Sequence, residues 1–141
     1  MTRFVLDNSV TMRWLFGDGA PDDLAYAAGV LRKMETDGAE ALVPVLWGLE
    51  AGNVMARAEA KGWLLESRSA EFLGILQRMA IRVDDATSVH ALGNTLQLAR
   101  RHNLSTYDAS YLELALREGL PLATLDGGLR AAVQRVGARL F

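Results

Sequence analysis

Short apolar runs alternate along this chain with longer segments whose apolar residues recur every three or four positions. The runs at residues 3–6, 40–45, 81–83 and 121–125 have the length of strands, and residues 24–37 show helical spacing. Strands that alternate with helices favour a parallel sheet covered by helices on both faces, so the pattern predicts a doubly wound α/β fold. The predicted helices span residues 10–16, 24–37, 46–61, 67–79, 86–102, 105–118 and 127–136, and a last edge strand is expected at 138–140.

Length and composition narrow the possible classes. A chain of 141 residues that is 50% hydrophobic has enough apolar side chains for one core, so residues 1–141 are expected to form a single domain. The absence of Cys excludes disulfides and thiolate sites, and the two His residues are too few for a three-His zinc site. No apolar run approaches the ~20 residues of a membrane span, and residues 1–10 lack the apolar core of a signal peptide. We therefore expect a cytoplasmic protein with no membrane association.

The charge balance leaves nucleic-acid binding open. A formal net charge of -2 does not mark the whole molecule as a nucleic-acid binder. However, the 15 basic residues include only Lys33 and Lys61, so 13 are Arg, the side chain best suited to bidentate phosphate contact. A high Arg share also arises from genomic base composition. The charge therefore argues mildly against a nuclease without excluding one.

Four carboxylates stand in or beside apolar segments, where a charge is unusual. Asp7 and Asp126 follow predicted strands, Asp108 opens a predicted helix, and Glu50 lies in the otherwise apolar helix 46–61. Ligands of open parallel sheets bind at the carboxyl ends of the strands, so these acids are expected to meet there. Clustered carboxylates repel one another unless a divalent cation lies between them. An oxygen-only site suits Mg²⁺ or Mn²⁺, and such sites usually support phosphodiester hydrolysis.

Each acid also has a simpler interpretation. Asp7 and Asp126 are good helix N-caps, and Asp108 completes a capping box with Ser105. Glu50 is harder to explain as a surface residue, because its neighbours are apolar. The joint pattern favours a site. Acids that precede helices and are expected to be ordinary caps are Asp22, Asp23, Asp84 and Asp85.

Four segments carry a resemblance to a known family. FVLDNSV at 4–10, Glu-Ala-Gly-Asn at 50–53, LSTYDASYLELAL at 104–116 and LATLD at 122–126 resemble the PIN-domain ribonucleases, and more closely the VapC-type toxins of toxin-antitoxin pairs. The resemblance implies a three-layer PIN-like α/β fold, with a short, mostly parallel central sheet flanked by helices on both faces. It also implies a Mg²⁺-dependent (or Mn²⁺-dependent) endoribonuclease that acts as a toxin on an RNA substrate.

The same resemblance assigns residues and partners. The catalytic and metal-binding quartet of the family matches Asp7, Glu50, Asp108 and Asp126, and supporting polar positions match Ser9, Asn53 and Thr106. A cognate antitoxin is implied, whose C-terminal segment wraps the toxin and inserts a basic side chain near the acids. We also expect a homodimer and a hydrophobic groove near Trp14, Phe16, Leu46 and Trp47 that receives the antitoxin.

Basic residues near the acids are candidate phosphate contacts. Arg13, Arg57 and Lys61 fit that role, although a solvated helix surface is the simpler interpretation of each. Rival classes fit less well. A receiver-like phosphoacceptor needs a lysine after a late strand, and an aspartate-nucleophile phosphatase needs an Asp where Ser9 stands. A catalytically weak PIN-like protein-binding module remains an alternative, which Mg²⁺-dependent RNA cleavage would separate from a nuclease.

Overall fold

A parallel sheet lies between two layers of helices in the computed structural model, which describes residues 2–141. The strands are β1 (Arg3–Leu6), β2 (Glu40–Val43), β3 (Ile81–Val83) and β4 (Leu122–Ala123). The helices are α1 (Asn8–Leu15), α2 (Pro21–Thr36), α3 (Trp47–Ala60), α4 (Glu66–Arg78), α5 (Thr87–His90), α6 (Leu96–His102), α7 (Thr106–Glu118) and α8 (Gly127–Arg135). The predicted alternation of strands and helices is therefore confirmed.

The strand order creates a crevice at one edge of the sheet. The order is β3-β2-β1-β4, and each neighbouring pair is parallel. The chain moves outward from β1 to β3 and then returns to β4 on the other side of β1. The order thus reverses between β1 and β4, and ligands of such sheets bind beside that reversal, outside the carboxyl ends of the strands. Beyond β4, the expected edge strand is reduced to one bridge between Leu122 and Leu140.

Both faces of the sheet are buried. Phe4 points to the side of the sheet covered by α2, where it shares a core with Val30. Val5 points to the opposite side and shares a core with Tyr111 of α7 and Leu129 of α8. This alternation is the period of two that a strand imposes on its side chains. A strand buried on both faces reads as a continuous apolar run, which is why residues 3–6 were recognisable in the sequence. The three-layer α/β fold class is confirmed.

Helix starts differ in how they use their polar residues. The Ser105 side chain accepts a hydrogen bond from the Asp108 N–H at the start of α7, and the Asp126 side chain caps α8 in the same way. Asp7 precedes α1 but makes no side-chain cap bond, so its carboxylate is available for other contacts. The expected caps at Asp22 and Asp23 are wrong. Helix α2 begins earlier, at Pro21, because proline at the first helical position needs no N–H partner.

The predicted helix 86–102 is interrupted. Between α5 and α6 the chain kinks at Gly93, which leaves helical geometry with φ -105° and ψ -111°. Among the helices of residues 2–141, none combines the length and the apolar character that a membrane crossing requires.

Candidate functional site

An open cavity of about 440 Å³ lies at the carboxyl ends of β1 and β4. All four acids that the sequence singled out, Asp7, Glu50, Asp108 and Asp126, line it. We call this the acidic cavity. Its other lining residues are Asn8, Ser9, Met12, Arg13, Gly19, Asp23, Val54 and Leu125. The expected convergence of the four acids on one cavity is therefore observed.

Asp7 is held by two hydroxyl groups. The Ser9 hydroxyl donates to Asp7 Oδ2 at 2.6 Å, and the Thr124 hydroxyl donates to the same oxygen at 2.8 Å. Each hydroxyl oxygen also accepts a backbone N–H at 3.0 Å, from Leu125 to Ser9 and from Asp126 to Thr124. Because those N–H groups occupy the acceptor side of each hydroxyl, its proton is directed to Asp7. The carboxylate is thereby fixed across the β1–β4 junction.

Burial dominates the electrostatics of Asp7, whose exposed fraction is only 5%. Loss of solvent raises the pKa of this carboxyl, and the Ser9 and Thr124 hydrogen bonds offset only part of that rise. The negative charge of Asp126 raises the pKa further. The net pKa lies above the ordinary aspartate value, so the protein holds the ionised form of Asp7 at a free-energy cost.

Glu50, another residue that lines the cavity, is oriented by a hydroxyl group. It projects from α3, and the Tyr111 hydroxyl of α7 donates to its Oε1 at 2.5 Å. Burial raises the pKa of Glu50, the tyrosine hydrogen bond opposes that rise, and the charges of Asp7 and Asp108 add to it. The pKa of Tyr111 is also raised, first by burial and then by Glu50. The phenol therefore remains protonated and acts as a fixed donor.

Asp108 and Asp126 are placed by the starts of two helices. The Asp108 N–H donates to Ser105 Oγ at 3.0 Å, and Asp126 Oδ2 accepts the Leu129 N–H at 2.9 Å. Burial raises the pKa of Asp108, and the charges of Asp126 and Asp7 raise it further. A Cβ at Gly128 would lie 3.2 Å from Asp126 Oδ2, so a side chain there would crowd the carboxylate.

The donor set fits a hard divalent cation in kind. Carboxylate oxygens are the ligands that Mg²⁺ and Mn²⁺ prefer. One lining residue, Asn8, also has a buried Oδ1 without a hydrogen-bond partner among residues 2–141. Among the same residues, no three acidic or imidazole side chains lie close enough together to coordinate one metal ion directly. Mg²⁺ usually keeps several of its own waters in proteins, so direct contact with every acid is not required.

Comparison with known proteins identifies the family of this chain. The family model described as "PIN domain" matches residues 4–133. The chain belongs to this family. PIN domains are generally nucleases. Among curated protein sequences, none matches the chain.

Three solved structures share the PIN-domain fold with this chain. PAE2754 from Pyrobaculum aerophilum has a TM-score of 0.64 at 20% identity, covering 93% of this chain and 84% of its own. A toxin-antitoxin complex from Klebsiella pneumoniae has a TM-score of 0.56 at 18% identity, covering 87% and 86%. FitAcB from Neisseria gonorrhoeae has a TM-score of 0.59 at 15% identity, covering 98% and 96%. At these identities the likeness concerns the fold.

The supporting residues of this PIN domain differ in part from those expected. Ser9 lines the acidic cavity, whereas Asn53 and Thr106 are exposed and do not line it. Thr106 is the first residue of α7, where the capping role belongs to its neighbour Ser105. The sequence analysis missed Thr124 and Tyr111, which hold Asp7 and Glu50. Signals for both were present. Thr124 is the one polar residue between Leu122 and Leu125, and Tyr111 follows Asp108 by three positions on one helix.

A second group of buried acids lies elsewhere in this PIN domain. Asp84, expected to be a helix cap, instead accepts two hydrogen bonds from Arg117, at 3.1 and 2.7 Å. The Arg117 Nε donates to Glu113 at 2.9 Å. We call Asp84, Glu113 and Arg117 the paired-acid cluster. Burial would raise the pKa of Asp84, but the hydrogen bonds from Arg117 and Thr87 outweigh it and leave the pKa below its ordinary value.

Proposed function

We propose that this PIN domain is a metal-dependent endoribonuclease and the toxin of a toxin-antitoxin pair. Membership of a family of nucleases supports hydrolysis of a nucleic acid. The fold shared with a toxin-antitoxin complex from Klebsiella pneumoniae supports the biological setting. RNA as the substrate follows from the four segments that resemble the VapC-type toxins.

One observation carries the proposal. Asp7, Glu50 and Asp108 each have a raised pKa, because burial and the neighbouring acids disfavour their charged forms. The hydroxyl groups that donate to Asp7 and Glu50 are neutral, and no salt bridge from a described residue reaches any of the three acids. A divalent cation would supply the missing positive charge. Sites whose carboxylates are perturbed in this way, inside a cleft, are typical of catalysis.

The proposed roles follow from the contacts of each acid. Asp7 and Asp108 would be the main ligands of Mg²⁺ or Mn²⁺, and Glu50 and Asp126 would act through water. When bound, the ion would lower the pKa of a water and offset charge on the phosphate. Ser9 and Thr124 fix Asp7 for this role, since both donate to its Oδ2.

Glu50 is the proposed acceptor of the proton from the attacking water. A carboxylate with a raised pKa is a better base near neutral pH than an ordinary one. Tyr111 orients this group through its hydrogen bond to Oε1. The water oxygen forms a bond to phosphorus as the bond to the leaving oxygen breaks, and a proton must reach that leaving oxygen.

Cleavage of RNA by the purified protein tests the proposal. We expect cleavage with Mg²⁺ or Mn²⁺ and none after chelation. Asp108→Asn should reduce kcat by at least about 100-fold, since it removes a proposed ligand. Asp85→Asn is the matched control, because Asp85 is exposed and does not line the acidic cavity. Equal cleavage by wild type and Asp108→Asn would contradict the assignment.

The antitoxin is proposed to bind an apolar groove of about 440 Å³ between α3 and α4. The groove includes Trp47, Met55, Leu73 and Leu76. Its position corrects the sequence-based expectation. The ring N–H of Trp14 donates to the Ala27 carbonyl, and neither Trp14, Phe16 nor Leu46 lines the groove. A Leu73→Asp variant should lose affinity for the antitoxin in a pull-down while retaining RNA cleavage.

A homodimer is also proposed. Leu49, Val89 and Leu92 are large apolar side chains with exposed fractions of 79%, 76% and 87%. Side chains of this kind favour burial between subunits. Light scattering should give twice the monomer mass at micromolar concentration, and a strict monomer would contradict the proposal.

A catalytically weak protein-binding module is the second candidate. One observation favours it, because no three acidic or imidazole side chains among residues 2–141 are grouped closely enough to hold an ion directly. The apolar groove would suit such a module equally well. The two functions differ in one measurement. A binding module would leave RNA intact at every metal concentration, yet still bind its partner.

A further inference from the structure

Arg13 is the one positively charged side chain among the twelve that line the acidic cavity. It projects from α1, and its side chain has an exposed fraction of 22%. The five acids that line the cavity, Asp23 among them, would repel a phosphate group, so a substrate needs positive charge at the rim as well as a metal. We propose that Arg13 binds a phosphate of the RNA substrate and that Asp18 positions it, an inference that rests on the proposed function.

Asp18 fixes one end of the guanidinium. Arg13 Nη1 donates to the backbone carbonyl of Asp18 and also to its Oδ1, the latter at 2.5 Å. These two bonds use both protons of Nη1. The Nη2 and Nε protons of Arg13 make no hydrogen bond to any of residues 2–141. One edge of the planar guanidinium is therefore available for a phosphate.

The loop that follows α1 is shaped around this side chain. Gly19 has a φ of +118°, a region that L side chains rarely adopt, and a Cβ there would lie 3.3 Å from Arg13 Nη1. Glycine at this position therefore permits both the turn and the close approach of the guanidinium. Asp18 itself is largely exposed, at 77%, so its pairing with Arg13 contributes little to stability. The effect of the pairing is to fix the position of the guanidinium.

The pairing also keeps Arg13 from neutralising the site. Within the described chain, the salt bridge of Arg13 is to Asp18, and none joins Arg13 to the four acids. A free arginine at the rim would be drawn toward those acids and would compete with the metal. Asp18 holds the guanidinium at the rim, where it faces an incoming phosphate.

The other basic candidates are placed less suitably. Arg57 and Lys61 do not line the acidic cavity, and the Lys61 ammonium lies 4.6 Å from the centre of the Trp63 ring. Arg130 donates to the Thr124 carbonyl at 2.7 Å and stacks over Tyr26, which is a structural role. Of these four basic residues, Arg13 alone lines the acidic cavity.

Binding and cleavage must be measured separately to test this role. RNA binding is measured by fluorescence anisotropy with a short labelled single strand in the Asp108→Asn background, where cleavage is suppressed. Adding Arg13→Gln should weaken binding at least about tenfold. The slope of log affinity against log salt should become shallower by about 0.7, the value for one phosphate contact on a single strand. A purely structural role would leave that slope unchanged.

Matched variants separate the alternatives. Arg13→Lys keeps the charge and should retain part of the affinity. Asp18→Asn should weaken binding less than Arg13→Gln, because the guanidinium remains but is less well held. Arg68→Gln removes another paired surface arginine, outside the acidic cavity, and should change neither affinity nor slope. Melting curves of each variant show whether the fold is intact.

The outcomes distinguish this inference from the function on which it rests. Arg13→Gln with unchanged affinity and salt slope would overturn the role of Arg13, even if the wild type cleaves RNA. Absence of RNA binding by Asp108→Asn at low salt would overturn it as well. Failure of the wild type to cleave RNA with Mg²⁺ or Mn²⁺ would overturn the proposed function, while the binding measurement would still decide the role of Arg13.

Discussion

The acidic cavity and the paired-acid cluster both bury carboxylates, yet the pKa of Asp7 in the first is raised and the pKa of Asp84 in the second is lowered. Burial raises the pKa of Asp7 and, taken alone, would raise the pKa of Asp84. Arg117 reverses the outcome at Asp84, where its bidentate hydrogen bonds favour the ionised form. Asp7 receives only neutral donors, Ser9 and Thr124. Burial alone does not decide the direction of the pKa shift. The pKa falls where the chain places a cation beside the carboxylate and rises where it does not.

The comparison separates two uses of a buried acid. In the paired-acid cluster the chain supplies its own counterion, and the group joins α7 to the segment after β3. In the acidic cavity the chain assembles acids without supplying a matching charge. Such an arrangement costs stability and is retained at functional sites. Four substitutions test whether the two regions differ in this way.

The largest effect is expected where the internal counterion is removed. Arg117→Met leaves Asp84 and Glu113 buried without their cation, and should lower the free energy of unfolding by about 3 kcal/mol. Urea denaturation at pH 7 measures it. Arg135→Met is the control, since Arg135 is exposed at the end of α8 and should change stability by no more than about 0.5 kcal/mol. Equal effects of the two substitutions would remove the distinction between the regions.

A smaller loss should follow from Asp84→Asn, with a defined pH dependence. The pKa of Asp84 in the fold lies below the ordinary value of 3.8, so its contribution is fully present above that value and is lost as pH falls through the folded pKa. The substitution should cost about 2 kcal/mol at pH 7. Denaturation curves from pH 7 to pH 3.5 should show the difference from wild type constant at first and shrinking below about pH 4.

An aspartate whose pKa is lowered in the fold must lose its stabilising contribution as the pH falls. A difference between wild type and Asp84→Asn that grows on acidification would contradict the Arg117 pairing as its cause. Asp85→Asn is the control and should change the free energy of unfolding at pH 7 by no more than about 0.5 kcal/mol, because Asp85 is exposed.

In the acidic cavity, removing a charge should raise the free energy of unfolding instead of lowering it. Asp7→Asn removes one repelling charge, and the amide oxygen can still accept the hydrogen bonds of Ser9 and Thr124. Without metal, the free energy of unfolding should rise by about 1 kcal/mol. Mg²⁺ should raise the melting temperature of the wild type, since an ion that binds only the folded state stabilises it, and this rise should disappear in the variant. An unchanged metal response would mean that the ion binds elsewhere.

The smallest change in stability is expected at Glu50. Glu50→Gln keeps the shape and an acceptor for the Tyr111 hydroxyl, so stability without metal should stay within about 0.5 kcal/mol of wild type or increase slightly. RNA cleavage should nevertheless fall by at least about 100-fold, because the proposed base is lost. Full cleavage by this variant under limiting Mg²⁺ would leave a site of three aspartates.

Local sequence patterns predicted which helices and strands form better than they predicted the residues at which these begin and end. The strands at 3–6 and 81–83 have the expected bounds, whereas residues 121–125 contain only the two-residue strand Leu122–Ala123. β4 pairs with β1 over two positions, and it ends at Ala123, opposite Leu6, the last residue of β1. The break at Gly93 was missed because a single glycine inside a helical pattern is usually tolerated.

The four acids were recognisable because a charge in an apolar segment is unusual, whereas most of the contacts that hold them were not. The positions of Thr124 and Tyr111 stand out in the sequence, but only the fold shows that their hydroxyls reach Asp7 and Glu50. Asp84 looked like a cap because its partner Arg117 lies 33 positions away. Sequence reasoning finds the residue whose charge is out of place, but the partner that explains it is set by long-range packing.

The hydroxyl contacts of Asp7 have a consequence for the order of synthesis. Thr124, which completes the setting of Asp7, lies 117 positions later in the chain. At a translation rate of about 5–20 residues per second, that separation corresponds to roughly 6–23 s of elongation. During this interval the nascent chain contains Asp7 and Ser9 but not the β4 segment that fixes them. The acidic cavity therefore cannot form before the β4 segment has been synthesised.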